Sequence, residues 1–159
     1  MKTVISKTHT PIIVIFALFL LGSCLSLRDV PGSSRGNNTV LIITQDHPDV
    51  AYRKMGQILT ERGFSIANSD REMGTISTAP GSFSIGFLTG DWEGRINVVI
   101  SGSDTATIAL SGTSRLSSED AWRRIEDRGG SHTPPQAGWV ELHEIAQKYE
   151  GAEIAFETR

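Results

Sequence analysis

Residues 96–110 read INVVISGSDTATIAL, and the pattern on either side of the glycine decides the fold class. Ile96, Val98 and Ile100 alternate with Arg95, Asn97 and Val99. Ser101-Gly102-Ser103-Asp104 then breaks the run, and Ala106, Ile108 and Leu110 answer it with Thr107 and Ala109 between. Two period-two runs separated by a polar, glycine-containing break predict an antiparallel hairpin. One side of each run is apolar and the other polar, which predicts a sheet covered on one face only.

The same period continues upstream. Phe83, Ile85 and Phe87 alternate with Ser82, Ser84 and Gly86, and Gly74-Thr75-Ile76-Ser77-Thr78 forms a strand ended by Pro80-Gly81. Phe64 and Ile66 alternate with Ser65 and Ala67, and Asn68-Ser69-Asp70 is expected to turn the chain. This meander is flanked by helical patterns. After a β-branched strand at residues 39–44 (TVLIIT), Asp46 or His47 can cap a helix that Pro48 opens and Gly63 closes. Its apolar face is Ala51, Met55, Ile58 and Leu59. Gly56, which costs about 1 kcal/mol inside a helix, is expected to mark close packing on the sheet. Thr133-Pro134-Pro135 opens a second helix with Trp139, Leu142, Ile145, Ala146 and Tyr149 on one face, and residues 152–158 form a closing strand. Residues 117–130 (SSEDAWRRIEDRGG) suit either a helix or a strand. The expected fold is α+β: an antiparallel sheet with two helices packed on one face, in the order strand, helix, meander, helix, strand, similar to a helix-grip module.

The amino-terminal segment has a different character. Lys2 and Lys7 precede an unbroken apolar run over residues 12–21, Leu21-Gly22-Ser23-Cys24 follows, and no acidic residue occurs before Asp29. Ten apolar residues rise only about 15 Å as a helix, half the hydrocarbon thickness of a bilayer, so the run reads as a signal-peptide core and not a span. Leu21-Gly22-Ser23-Cys24 resembles the lipobox of bacterial lipoproteins. That resemblance implies a signal peptide over residues 1–23. The Cys24 thiol would carry diacylglycerol, and its new amine an acyl chain such as palmitate. Several acyl chains hold a protein firmly where one holds it marginally. Leu25, in place of the aspartate that retains such proteins at the inner membrane, points to the outer membrane and its periplasmic side. Residues 24–38, rich in Gly, Ser and Asn, are expected to form a flexible tether, and residues 39–159 one domain.

Of 159 residues, 15 are basic and 18 acidic; loss of Lys2 and Lys7 would leave 13 against 18, a net charge of −5. No basic patch is visible, which argues against nucleic acid as a partner. Cys24 is the only cysteine, so the domain has no disulfide and no paired-cysteine zinc motif.

Catalytic patterns mostly fail on inspection. His143-Glu144 lacks the second histidine of a zinc helix, since position 147 is Gln. His47-Pro48-Asp49 copies the chaperone J-domain tripeptide but follows a strand, so capping explains it better. Asp46, His47 and Asp49 lack a distant fourth metal ligand. The glycines of residues 81–86 are misplaced for a nucleophile elbow. Glu119-Asp120 and Glu126-Asp127 are flanked by Arg123, Arg124 and Arg128, as surface ion pairs are. Neither cofactor, metal nor catalytic residue is expected, and the chain reads as a non-enzyme. Trp122 and Trp139 read as core anchors. Trp92, in the polar stretch Gly90-Asp-Trp-Glu-Gly94, is the candidate binding residue, an aromatic expected in a loop.

Residues 57–80, a helix ending in Gly-aromatic followed by a strand, Ser69-Asp70-Arg71 and Gly74-Thr75-Ile76-Ser77-Thr78, are similar to segments of BamC-like (NlpB) lipoproteins of the outer-membrane barrel-assembly machinery. The resemblance implies a helix-grip module without catalytic residues, anchored in the envelope, with a protein partner and an accessory role in outer-membrane assembly. A carrier of small apolar ligands and, less favoured, a cell-wall hydrolase are the alternatives. The carrier would need surplus apolar volume between the second helix and Phe83, Phe87 and Trp139.

Overall fold

A computed structural model of the chain describes residues 30–85 and 88–159. The elements run β1 (Thr39–Thr44), α1 (Pro48–Glu61), β2 (Ile66–Asp70), β3 (Thr75–Thr78), β4 (Gly81–Ile85), β5 (Leu88–Ser101), β6 (Ala106–Leu116), β7 (Arg123–Arg124), α2 (Pro134–Gln147) and β8 (Glu153–Glu157). They build an α+β fold on one open antiparallel sheet of order β2-β3-β5-β6-β1-β8, with β4 beside β5 and β7 beside β6. The hairpin expected at residues 96–110 forms, and β1 inserts between β6 and the edge strand β8.

Register explains which face is buried. Ile76, Val98, Leu110, Val40 and Phe156 pair in turn across five strands, and Ile100, Ile108, Ile42 and Ile154 do the same across four. Both helices pack on the face these rows share. Ala51, Met55 and Leu59 of α1 are fully buried, as are Trp139, Leu142, Ile145 and Ala146 of α2. Each such aliphatic side chain withdrawn from water contributes about 1.5–3 kcal/mol. α1 begins as expected: His47 caps it, its Nδ1 accepting from Asp49 N at 3.3 Å, with Pro48 at the first position.

Three local expectations are corrected and one left open is decided. Asn68, Ser69 and Asp70 belong to β2, and the turn falls at residues 71–74, where Gly74 takes φ +64°. A Cβ there would lie 2.3 Å from the Ile100 carbonyl oxygen, so only glycine fits. Gly56 is not closely packed, since nothing lies within 4 Å of its would-be Cβ. Of the two alternatives left open for residues 117–130 the strand is the one found, as the two-residue β7 within an irregular segment. Finally, the described part of residues 24–38 is no tether. Val30 is buried in the core. Ser33 Oγ donates to Asp127 Oδ2 at 2.5 Å, Gly36 N to the Asp127 carbonyl at 2.9 Å, and Asp127 N to the Asn37 carbonyl at 2.7 Å. Partners 90 residues apart in sequence satisfy the polar backbone of this stretch, which composition alone does not reveal.

The close packing assigned to Gly56 occurs at two other glycines. Ile125, 1% exposed, fills a slot between Gly112 of β6 and Gly138 of α2. A Cβ on Gly138 would stand 2.6 Å from Ile125 Cγ1 and 2.9 Å from Ser114 Oγ, which itself donates to the Pro134 carbonyl at 2.5 Å. Gly138→Ala is therefore expected to destabilise despite a better helix propensity. Overpacking costs roughly 1–3 kcal/mol and the propensity gain returns about 1, so urea unfolding should show a net loss of up to about 2 kcal/mol. A more stable variant would show that the slot is loose.

Candidate functional site

Because both helices lie on one face, no described helix covers the opposite face of the sheet. It presents Glu93, Arg95, Asn97 and Val99 from β5 and Thr107, Ala109, Ser111, Thr113 and Arg115 from β6, the positions that alternate with the core rows. Across its middle runs an apolar row, Ala155, Leu41, Ala109 and Val99, in which Val99 is 46% exposed, Leu41 and Ala155 are half-buried and Ala109 is buried. Next to it, at the β7 end, three arginines gather.

The centre of that corner is Trp122. The guanidinium carbon of Arg95 lies 4.1 Å from the centroid of its ring and that of Arg115 lies 4.7 Å away. Each such contact contributes about 0.5–1 kcal/mol at an exposed site. Arg115 also reaches Glu93 Oε2 with Nε at 2.8 Å and Nη2 at 2.7 Å. Thr113 pairs with Arg95 on one side and Arg124 on the other. Arg124 donates to the carbonyl of Arg159. Among the described residues Arg95 meets no carboxylate.

The tryptophans exchange the roles expected of them. Trp92 is not in a loop: β5 runs through it, and it pairs with Phe83 and Leu116 on the buried face, 6% exposed. The alternation Ile100, Val98, Ile96 continues through Gly94 to Trp92, and the polar Asp91 and Glu93 between them point outward. Trp92 is thus a core residue, and no binding surface forms around it. Trp122 is half-buried on the open face and not in the core. Only Trp139 is the anchor expected, with 0% exposure.

The other candidates are engaged in structure. Asp46 Oδ2 accepts from Lys54 Nζ at 2.6 Å and Tyr149 Oη at 2.7 Å, and these bonds hold its carboxyl below the usual range. Arg71 does the same for Asp49 at 2.8 Å. His143 lies against Phe156 with ring centroids 5.9 Å apart, and Glu144 meets Arg62 at 2.9 Å. Glu119 faces Arg123 at 3.9 Å and Glu126 faces Arg128. No group of three His, Cys, Asp or Glu among the described residues is placed to hold a metal. A cleft of about 220 Å³ between the helices is lined by Lys54, Gln57, Glu61, Lys148 and Glu150 with Ile58 and Tyr149, a charged lining unsuited to an apolar ligand. Cys24 and Phe87 lie outside the described residues. No described helix is long and apolar enough to cross a membrane.

Comparison with known proteins finds no family whose model matches the chain and no characterised protein significantly similar to it.

Proposed function

We propose that the chain is an envelope lipoprotein, anchored at Cys24, whose domain is a non-enzymatic binding or scaffold module of the outer membrane. The observation that carries the binding role is the one-sided packing of the helices. It leaves a sheet face with an apolar row and a stacked Arg-Trp-Arg corner open to a partner. The anchor rests on Leu21-Gly22-Ser23-Cys24 behind its short apolar run. Six positions separate Cys24 from the buried Val30, a span of at most about 20 Å, so the domain would be held close to the bilayer. An envelope protein on the open face, in an accessory role to outer-membrane assembly, accords with the BamC-like resemblance. An internal carrier is less favoured, since Ile125 fills the slot between Gly138 of α2 and Gly112 of the sheet.

Expressed in a Gram-negative cell, the full chain is expected in the membrane fraction, labelled by radioactive palmitate. Cys24→Ser should abolish the label and leave an uncut precursor. Unlabelled, soluble wild-type protein would sink the anchor. For the binding role, a photo-crosslinking residue at Asn97 on the open face should capture an envelope partner in stoichiometric amount, and one at Gln57 on the outer side of α1 should not.

A further inference from the structure

We infer that the corner of the open face formed by Arg95, Thr113, Arg115 and Arg124 binds a phosphate group. This rests on the reading of that face as the binding surface and gives it a ligand chemistry. Net charge makes the corner stand out: in a chain of net charge −3, the guanidinium groups of Arg95 and Arg115 meet on one ring, and Arg124 stands two strands from Arg95. Glu93 is already taken by Arg115. Arg95 is exposed and meets the indole of Trp122 at 4.1 Å, and its side chain makes no ion pair with another described residue.

Stacking on an aromatic ring orders a guanidinium without using its N–H donors, because the ring meets the face of the group and the donors lie in its plane. Arg95 lies over the ring with no hydrogen bond or ion pair from its side chain to another described residue, so its N–H donors remain for bidentate contact with an oxyanion. Arg124 stands on the opposite side of Thr113, two strand spacings or about 10 Å from Arg95 at Cα, within reach of the same ligand for two long side chains. It spends one N–H on the Arg159 carbonyl and keeps the others of its five. The Thr113 hydroxyl lies beneath as a further donor. A phosphate offers more acceptor oxygens than one carboxylate, so it can meet the Arg95 guanidinium and a remaining Arg124 N–H together. The phosphate could belong to a lipid headgroup or to a soluble molecule.

Isothermal titration calorimetry on the full chain in zwitterionic detergent tests this with two probes, inorganic pyrophosphate and phosphatidylglycerol in the micelle, against phosphatidylcholine. Binding of pyrophosphate supports the site with a soluble source. Binding of phosphatidylglycerol alone supports it with a headgroup source. Arg95→Gln and Arg124→Gln are each expected to weaken binding at least tenfold, and Arg53→Gln, on the exposed side of α1, less than twofold. Arg95→Lys keeps the charge but not the planar fork, and should lose at least fivefold without disturbing the fold. Failure of both probes to bind at low salt overturns the site, and so does equal loss in Arg53→Gln. If Asn97 still crosslinks a partner when neither probe binds, this inference fails alone. If the crosslink fails too, the binding-surface reading falls with it.

Discussion

Arg62→Met is expected to destabilise the protein by about 3 kcal/mol at pH 8, the low end for breaking a buried ion pair, and by clearly less at pH 5. Arg62, the C-cap of α1, reaches across to α2. Its Nε lies 3.0 Å from Glu141 Oε1, and its Nη2 lies 2.5 Å from Glu141 Oε2 and 2.9 Å from Glu144 Oε2. Glu141 is 2% exposed, and the Arg62 side chain is 26% exposed, which is why the low end applies. Burial pushes the Glu141 carboxyl above its ordinary range, and Arg62 opposes the rise without cancelling it. A carboxyl raised in the fold binds its proton more tightly there than in the unfolded chain. Its contribution to stability is fully present below the unfolded value, about 4.3, and is lost as pH rises through the folded one. Without Arg62 burial acts unopposed, the folded value climbs further, and the loss at alkaline pH grows. Glu141→Gln removes the titration. Its cost should be smaller than that of Arg62→Met, and because the variant lacks this titration while wild type keeps it, that cost should fall as pH rises from 5 to 8. Urea unfolding at pH 5, 6.5 and 8 gives all three curves. A penalty for Arg62→Met that is flat, or larger at pH 5, would refute the assignment.

That pair also shows where reading the chain stops. Glu141 falls on the α2 side that carries neither Trp139 nor Leu142, and a charged residue there reads as solvated. The α1 C-cap, 79 residues away, is what buries it. Features set by local period were legible: β1, α1, the 96–110 hairpin, α2 and β8 all lie where alternation or a 3.6-residue spacing puts them. Features set by long-range pairing were not, including the docking of residues 30–38 on Asp127, the β6–β7 bridge and the Gly112–Ile125–Gly138 slot. Trp92 is the instructive case between these. Its even spacing from Ile96 was a usable signal of burial, outvoted by Asp91, Glu93 and two glycines. The corner around Trp122 had a weaker one. Arg95 and Arg115 share the outward phase of adjacent strands, but only the register of β5 on β6 and the path of residues 117–122 bring them to one ring.

Trp139→Ala and Trp139→Phe are expected to part widely. Trp139 is wholly buried, its ring 5.6 Å from that of Phe156 at an interplanar angle of 54°. Truncation to alanine removes more than 150 Å² of packed surface and opens a cavity under α2, a loss of about 3–5 kcal/mol. That is a large share of the 5–15 kcal/mol typical of a domain's stability, enough to leave a sizeable unfolded fraction at 37 °C. Phenylalanine keeps the aromatic contact with Phe156 but gives up the pyrrole ring. Against that lost volume stands a second term. The Trp139 Nε1 is buried with no acceptor among the described residues, and an orphaned donor costs roughly 1–3 kcal/mol. Replacing the indole with phenyl removes the orphan along with the volume, so the two terms nearly offset and Trp139→Phe should lose only about 1 kcal/mol. Equilibrium unfolding in urea measures both variants. A Trp139→Phe loss close to that of alanine would mean that the indole N–H is satisfied in solution, by a water held between α2 and the sheet.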